Sequence, residues 1–123
     1  MMDRQRFEAY IAAYNAADWP TVAAYYTDDI RFQSFGHLYE GSEVLQFLTR
    51  LHRGVKDTMV LRTLELNGTR IDISADTHIV ALVDLPDLPA GSMKAGEQRM
   101  VRMDIAYETR GDRICAITVS ARP

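Results

Sequence analysis

Apolar side chains near the start of the chain recur with the period of an α-helix. Over residues 4–17 they lie three or four positions apart, at Phe7, Tyr10, Ile11 and Tyr14, which puts them on one helical face. Asp3 precedes this segment, where an acidic N-cap accepts backbone N–H groups. Asp18 and Pro20 repeat the start signal, because proline in the first helical turn loses no hydrogen bond. The pattern predicts a first helix and a short second helix that ends near Thr27.

A short β-hairpin and a third helix are predicted next. Residues 30–35 alternate as a strand does, Gly36 permits a tight turn, and residues 37–39 form the return strand. The third helix starts at 41–43 and ends at Gly54, a residue that favours helix termination. Its apolar face is formed by Val44, Leu45, Leu48 and Leu51.

The remainder of the chain has the alternation of β-strands. Strands are predicted at 59–66, 77–85, 97–109 and 113–121. Asn67-Gly68 is typical of a hairpin turn, but Ile71 and Ile73 continue the alternation, so a bulge within one long bent strand is an equal alternative. Residues 86–96 contain prolines and glycines and are predicted to form a loop.

Helices followed by a run of strands predict an α+β fold, with the helices on one face of a mostly antiparallel sheet. Both faces of the strand at 97–109 are partly apolar. One face carries Val101, Met103, Ile105 and Tyr107. The other carries Ala106 together with Arg102 and Asp104. A face of this kind is poorly suited to full solvation, so we predict a homodimer that associates through the sheet.

Composition narrows the class of protein. The 123 residues suit one domain, 1–123, and 47% hydrophobic with 25% charged residues is typical of a globular protein. A net charge of -3 without a basic run gives no indication of a nucleic-acid or membrane partner. Cys115 is the one cysteine, so no internal disulfide forms, and its apolar neighbours predict a packed core thiol. No apolar signal segment or membrane span is present, and we expect a cytoplasmic protein.

Several short motifs occur in an order that resembles one superfamily. The segment from Tyr10 to Phe32 contains an aromatic helix, the pattern Asn15-x-x-Asp18, a short helix, two adjacent aspartates and a strand. The motifs at 41–44 (Gly-Ser-Glu-Val) and at the last turn (Gly-Asp-Arg-Ile) also fit. The chain resembles the nuclear transport factor 2-like superfamily, which includes steroid Δ-isomerases, SnoaL-type polyketide cyclases, scytalone dehydratase and limonene epoxide hydrolase. The resemblance implies a cone-shaped α+β barrel, in which three N-terminal helices pack on a strongly bent mixed, mostly antiparallel sheet around an apolar pocket.

The resemblance to the steroid isomerases implies roles for individual residues. It places Tyr10 where that family has its oxyanion tyrosine, and Asp104 where it has an aspartic acid kept protonated by an apolar site. The family's general base, an aspartate, is replaced by Ser34, whose hydroxyl is not a base near neutral pH. The epoxide hydrolases pair an arginine and an aspartate two residues apart. Arg102 and Asp104 have this spacing, although on a later strand than that motif.

Four residues are candidates for the chemistry. Asp104 would be an acid or base in the pocket, or else a strand residue paired with a neighbouring arginine. His37 would replace the missing base, or else be an exposed turn residue. Tyr10 and Tyr14 would stabilise an oxyanion, or else be ordinary core aromatics. The predicted ligand-binding residues are Trp19, Tyr26, Phe32, Ser34, Phe35, Leu48 and Arg102.

These candidates predict a small-molecule protein. We interpret the chain as a cofactor-independent cyclase, isomerase or dehydratase that acts on an apolar carbonyl, polyketide-like or steroid-like compound. The alternative is a non-catalytic ligand-binding or dimerisation module of the same fold. No metal site is predicted, because the three histidines lack ligand spacing; His52 is interpreted as a helix-end residue and His78 as a strand residue.

Overall fold

The computed structural model describes residues 2–86, 88 and 91–121. Its helices are α1 (Arg4–Asn15), α2 (Trp19–Ala24) and α3 (Ser42–Gly54). Its strands are β1 (Tyr26–Ser34), β2 (His37–Glu40), β3 (Val55–Asn67), β4 (Arg70–Ala81), β5 (Gln98–Arg110) and β6 (Arg113–Ala121). The predicted α+β class and the cone-like arrangement of helices on a curled mixed sheet are confirmed.

Helix starts follow the predicted caps. The Asp3 side chain accepts a hydrogen bond from the backbone N–H of Arg6 at 2.8 Å. The Asp18 side chain accepts from the hydroxyl of Thr21 at 2.7 Å. The second helix ends at Ala24 rather than near Thr27. Tyr26 already belongs to β1, because it pairs in parallel with Ile114 of β6, and this long-range pairing outweighs local helix propensity.

The six strands are ordered β2-β1-β6-β5-β4-β3. Within the described part of the chain, β1 and β6 pair in parallel, and all the remaining pairs of neighbouring strands are antiparallel. Gly68 and Thr69 form the hairpin turn between β3 and β4, with Gly68 at φ +63°, and Asn67 pairs with Arg70 as the last residue of β3. The strand predicted at 77–85 is instead β4, which starts at Arg70 and ends at Ala81. The bulge alternative is therefore wrong at Asn67, although the β3–β4 register does shift between Leu61 and Thr63.

The loop predicted at 86–96 is partly anchored. Leu85 and Met93 exchange backbone hydrogen bonds of 2.7 and 2.8 Å. Met93 packs with Val55 and Ile79 in a small apolar cluster, where β3 begins and β4 ends. Residues 87, 89 and 90 of this loop lie outside the described residues.

The core lies between the helices and one face of the sheet, here called the inner face. It includes Phe7, Tyr10, Val22, Leu48, Ile71, Tyr107 and Ile114. The opposite, outer face carries most of the charged strand residues. Cys115 was predicted to be a core thiol but is half-buried, because Glu108 pairs with Ala116 and Thr109 with Ile114, leaving Cys115 as the extra residue of a bulge. Among the described helices, none has both the length and the apolar character that crossing a membrane requires.

Candidate functional site

A cavity of about 290 Å³ lies between the helices and the inner face of the sheet. Both edges of the curled sheet contribute to it: Ser34 and His37 from the β1–β2 hairpin, and Asp57 from β3. Most of the remaining lining is apolar, including Phe32, Phe47, Leu48, Met59, Ile105 and Ile117. An enclosed apolar cavity with few polar groups is the usual form of a small-molecule site. We call it the central cavity.

The polar side of the central cavity is formed by Tyr14 and Asp57, and His52 lies beside Asp57 outside the lining; these three residues are here called the Asp57 cluster. Alternation in β3 turns Val55, Asp57 and Met59 toward the cavity. His52 lies in the last turn of α3, which leads directly into β3. Tyr14 comes from the apolar face of α1. Three elements of the fold, α1, α3 and β3, thus bring one carboxyl, one imidazole and one phenol together.

The distances in the Asp57 cluster define its hydrogen-bonding states. His52 Nε2 lies 3.6 Å from Asp57 Oδ2, and the two side chains are 5% and 15% exposed. The Tyr14 hydroxyl donates to the same Oδ2 at 3.5 Å. His52 Nδ1 lies 2.8 Å from the carbonyl oxygen of Leu48. Because a carbonyl oxygen only accepts, Nδ1 carries a proton, and a neutral ring would point a lone pair at Asp57. At 3.6 Å the contact between His52 and Asp57 is longer than a hydrogen bond, so His52 Nε2, like Asp57 Oδ1, has no hydrogen-bond partner among the described residues.

Packing fixes the position of the Asp57 cluster. The His52 ring contacts Trp19 at a centroid distance of 4.9 Å and Tyr14 at 5.5 Å. The Asn15 side chain donates to the carbonyl of Met59 and accepts from its N–H, both at 2.9 Å. This pair of bonds joins α1 to β3 two residues from Asp57, so the carboxyl is held in one orientation.

Two buried oxygen atoms at the central cavity have no hydrogen-bond partner among the described residues. They are Asp57 Oδ1 and Thr77 Oγ1. Thr77 is 1% exposed and lies on the inner face of β4. A buried polar atom without a partner costs free energy. Both atoms lie on the cavity lining, where a bound molecule can supply the missing hydrogen bond.

Burial keeps the tyrosines of the site neutral. It raises the pKa of Tyr10, Tyr14, Tyr26 and Tyr107 above the ordinary value of 10.0, and the negative charge of Asp57 raises that of Tyr14 further. Tyr10 and Tyr26 share a hydrogen bond of 2.8 Å between their hydroxyls. When Tyr26 is the donor, the Tyr10 proton is free to point elsewhere. The tyrosines are therefore hydrogen-bond donors rather than bases.

The structure brings most of the predicted site residues to the central cavity. These are Tyr10, Tyr14, Phe32, Ser34, Phe35, His37 and Leu48. His37 is exposed at the end of β1–β2. Phe35, at φ +50°, and Gly36, at φ +83°, form the tight turn before it. Trp19 and Tyr26 lie behind the lining, in contact with His52 and Tyr10 respectively.

Asp104 and Arg102 do not reach the cavity, which corrects their predicted placement. The inward positions of β5 are taken by Met103, Ile105 and Tyr107, so the residues between them point to the outer face. Asp104 lies there in a shallow polar depression that also contains Ser74 and Ser120.

Arg102 has a structural role on the outer face. Its Nε donates to Asp76 Oδ1 at 2.6 Å. Asp76 Oδ2 accepts from Arg62 at 3.0 Å. These hydrogen bonds, the one from Arg102 first, lower the pKa of Asp76 below its ordinary value. Arg102 and Asp104 are thus no acid–base pair of the cavity.

Sequence reasoning missed Asp57 and did not assign a role in the chemistry to His52. The signal was available in the alternation of Val55, Asp57 and Met59, which continues the β3 pattern to its start and puts the carboxyl among apolar neighbours. The predicted strand began after Asp57, so this position was left outside it. In the described ranges, no group of three or more His, Cys, Asp or Glu side chains is arranged to hold a metal ion.

Comparison with known proteins identifies the fold. No protein-family model and no curated relative matches the chain. Solved structures do match. A proposed polyketide cyclase from Pseudomonas putida is 20% identical, with a TM-score of 0.87, and the match covers 99% of this chain and 92% of that one. A second proposed polyketide cyclase, from Xanthomonas campestris, is 23% identical with a TM-score of 0.80 over 94% and 90% of the two chains.

An LEH-like epoxide hydrolase from M. tuberculosis is also similar. It is 15% identical, with a TM-score of 0.77 over 96% of this chain and 80% of that one. Other matching structures include proteins described as NTF2-like and as having a ketosteroid isomerase-like fold. At these identities the likeness shows the fold alone. The predicted resemblance is confirmed at that level: the chain has the nuclear transport factor 2-like fold.

Proposed function

We propose that the protein is a cofactor-independent acid–base enzyme of the cyclase, isomerase or dehydratase type, acting on a small, largely apolar carbonyl compound in the central cavity. One observation carries the proposal. Asp57 presents a buried oxygen without a partner among the described residues to an apolar cavity, while its other oxygen is held by Tyr14 and lies beside His52. The fold's similarity to proposed polyketide cyclases is consistent with this class of reaction.

The proposed step is transfer of a proton from carbon to Asp57. The carboxylate Oδ1 removes a proton from the carbon next to the carbonyl group, and the C–H electron pair forms the double bond of an enolate. The negative charge then lies on the former carbonyl oxygen, where neutral hydroxyl donors of the cavity stabilise it. Return of the proton to another carbon gives an isomer, and attack by the enolate carbon on a second carbonyl gives a cyclised product.

His52 and three of the residues predicted for the chemistry have supporting roles in this proposal. His52 packs beside the Asp57 carboxyl, and Tyr14 orients the carboxyl by donating a hydrogen bond to it. Tyr10 is a proposed oxyanion donor in the state in which Tyr26 donates to it. His37, at the exposed edge of the cavity, is a proposed second acid or base for a late protonation.

The test is exchange of α-hydrogens in D₂O, because it needs no knowledge of the natural substrate. The probe is 1-indanone, and loss of its α-proton signal is followed by NMR with and without protein. We expect the wild type to accelerate exchange and Asp57→Asn to reduce that acceleration by about 10²- to 10⁴-fold, the usual contribution of a general base. Asp104→Asn removes a carboxylate from the outer face and serves as the matched control.

The alternative, a non-catalytic ligand-binding module, gives a different result. In that case 1-indanone binds to the wild type but exchange stays at the buffer rate. Equal exchange by wild type and Asp57→Asn would also contradict the proposed role of Asp57.

We also propose that two copies associate through the outer face. Val60 and Met100 are 58% and 64% exposed there. Arg62 and Asp76 add charges of both signs, which a two-fold related copy can pair with its own. We expect Val60→Asp to convert dimers into monomers in sedimentation velocity, whereas Leu82→Asp, at an exposed residue after β4, leaves them intact. A wild type that sediments as a monomer at micromolar concentration contradicts this proposal.

A further inference from the structure

We propose that Thr77 is the ligand-anchoring residue of the central cavity and that its hydroxyl donates a hydrogen bond to the carbonyl oxygen of the bound compound. The inference deepens the proposed function and rests on it, since it takes this cavity to be the place where the carbonyl compound binds. It assigns a residue to the polar end of the ligand, whereas Asp57 acts on the neighbouring carbon.

The hydroxyl of Thr77 is buried and unused. The residue is 1% exposed, and its Oγ1 has no hydrogen-bond partner within the described residues. Thr109 gives the contrast. It is 8% exposed, and its Oγ1 donates to the carbonyl of Thr69 at 3.0 Å. The threonine hydroxyl is thus hydrogen-bonded at one buried position and has no partner at the cavity. At the cavity, valine would pack equally well without the cost of burying a hydroxyl.

Thr77 and Asp57 lie close together on the inner face of the sheet. Thr77 is opposite Met59 in the β3–β4 pair, and Asp57 is two residues from Met59 on the same face. The Cα atoms of such diagonal neighbours on adjacent strands lie about 7–8 Å apart, and their side chains approach more closely. Both line the central cavity. A carbonyl group bonded to Thr77 therefore presents its adjacent carbon toward Asp57 Oδ1.

The arrangement predicts opposite effects on stability and binding. Thr77→Val removes a buried hydroxyl that has no partner, so we expect the melting temperature of the ligand-free protein to rise by roughly 3–10 °C. The matched variant Thr109→Val removes a hydroxyl that is already bonded and is expected to lower the melting temperature. A lower melting temperature for Thr77→Val would show that its hydroxyl is already satisfied within the protein, and would overturn the inference.

Binding is measured with two probes of one skeleton, 1-indanone and 1-methylindane, by fluorescence or calorimetric titration. The ratio of their affinities cancels most of the difference in apolar burial. We expect Thr77→Val to reduce the preference for 1-indanone by about five- to tenfold, because a site built to hydrogen-bond an oxygen loses that discrimination with its donor. Thr77→Ser, which keeps the hydroxyl, and Thr109→Val are expected to retain the wild-type ratio.

The outcomes separate this inference from the proposed function. If the wild type binds both probes and Thr77→Val leaves their affinity ratio within twofold, the anchoring role is wrong, while Asp57 can still be the base. If 1-indanone binds in a Thr77-dependent way without α-hydrogen exchange, the anchoring role stands and catalysis is wrong. If neither probe binds to the wild type, the cavity is no site for such carbonyl compounds, and both ideas fall.

Discussion

The contact of His52 with Asp57 predicts an energetic coupling between a residue that lines the central cavity and a buried residue beside it. Their side chains are 5% and 15% exposed, with 3.6 Å between nitrogen and oxygen. When His52 carries a proton on both ring nitrogens, the two groups interact as unit charges, which at about 4 Å attract by about 4 kcal/mol at an effective dielectric constant of 20. Desolvation of both groups offsets much of this attraction. We therefore expect a net coupling of about 1–3 kcal/mol, within the range measured for contacting residues.

The assay is a double-mutant cycle in urea. His52→Phe keeps an aromatic ring against Trp19 and Tyr14. Asp57→Leu replaces the two carboxyl oxygens by two methyl groups and so keeps the branched shape of the side chain. Each single variant leaves the remaining polar group buried against an apolar neighbour, so the double variant is expected to be more stable than the sum of the two losses predicts. Because the pair is buried, the coupling should change little between low and high salt.

An exposed ion pair provides the matched control. Arg110 and Asp29 approach to 3.0 Å, closer than His52 and Asp57, but both side chains are 64% exposed. Solvent screens such a pair, so its cycle should show a coupling near the limit of measurement that falls further with salt. Additive effects within about 0.5 kcal/mol at His52 and Asp57 would refute the argument, because the two groups would then not share a proton or a charge interaction.

Two further predictions concern the surroundings of the cavity. The raised pKa values of Tyr10, Tyr14, Tyr26 and Tyr107 mean that the folded state resists ionisation, so their contribution to stability is complete below about pH 10 and is lost as pH rises beyond it. Absorbance at 295 nm should then show their ionisation only together with loss of the circular dichroism signal, and ionisation before unfolding would contradict their burial. Asn15→Ala removes both hydrogen bonds to Met59 and is expected to cost about 1–3 kcal/mol in urea unfolding, whereas Gln46→Ala, at an exposed position of α3, should be nearly neutral.

Local signals in the sequence predicted the elements whose ends are fixed locally. Asp3 and Asp18 do cap their helices, and the hairpin turn predicted at Asn67-Gly68 does form, with Gly68 and Thr69 in the turn. Ends that depend on distant partners could not be predicted in this way. β1 begins early because Tyr26 pairs with Ile114, and no residue near Tyr26 in sequence indicates that partner.

The placement of Asp104 shows which kind of signal was the better guide. Alternation in β5 alone puts Asp104 on the face of the sheet that Met103 and Ile105 do not share. The resemblance to steroid isomerases instead implied that Asp104 faces the pocket. The apolar residues determined the orientation of the strand, because a strand with one buried face is held in register by the side chains that it buries. Family resemblance thus predicted the cone and its cavity, but the side-chain pattern decided which carboxyl faces the cavity.

The position of Asp57 has a chemical consequence for the fold as a whole. The sheet closes around one cavity, so any inward position on its strands can present a carboxyl to the same ligand. With Ser34 at the expected base position on β1, the carboxyl in this chain comes from β3, at the opposite edge of the sheet. There it lies beside His52, in the last turn of α3, and diagonal to Thr77 on β4. A ligand that uses both Asp57 and Thr77 must therefore present its reactive carbon and its carbonyl oxygen toward β3 and β4, with its apolar body extending toward Phe32 and Ser34.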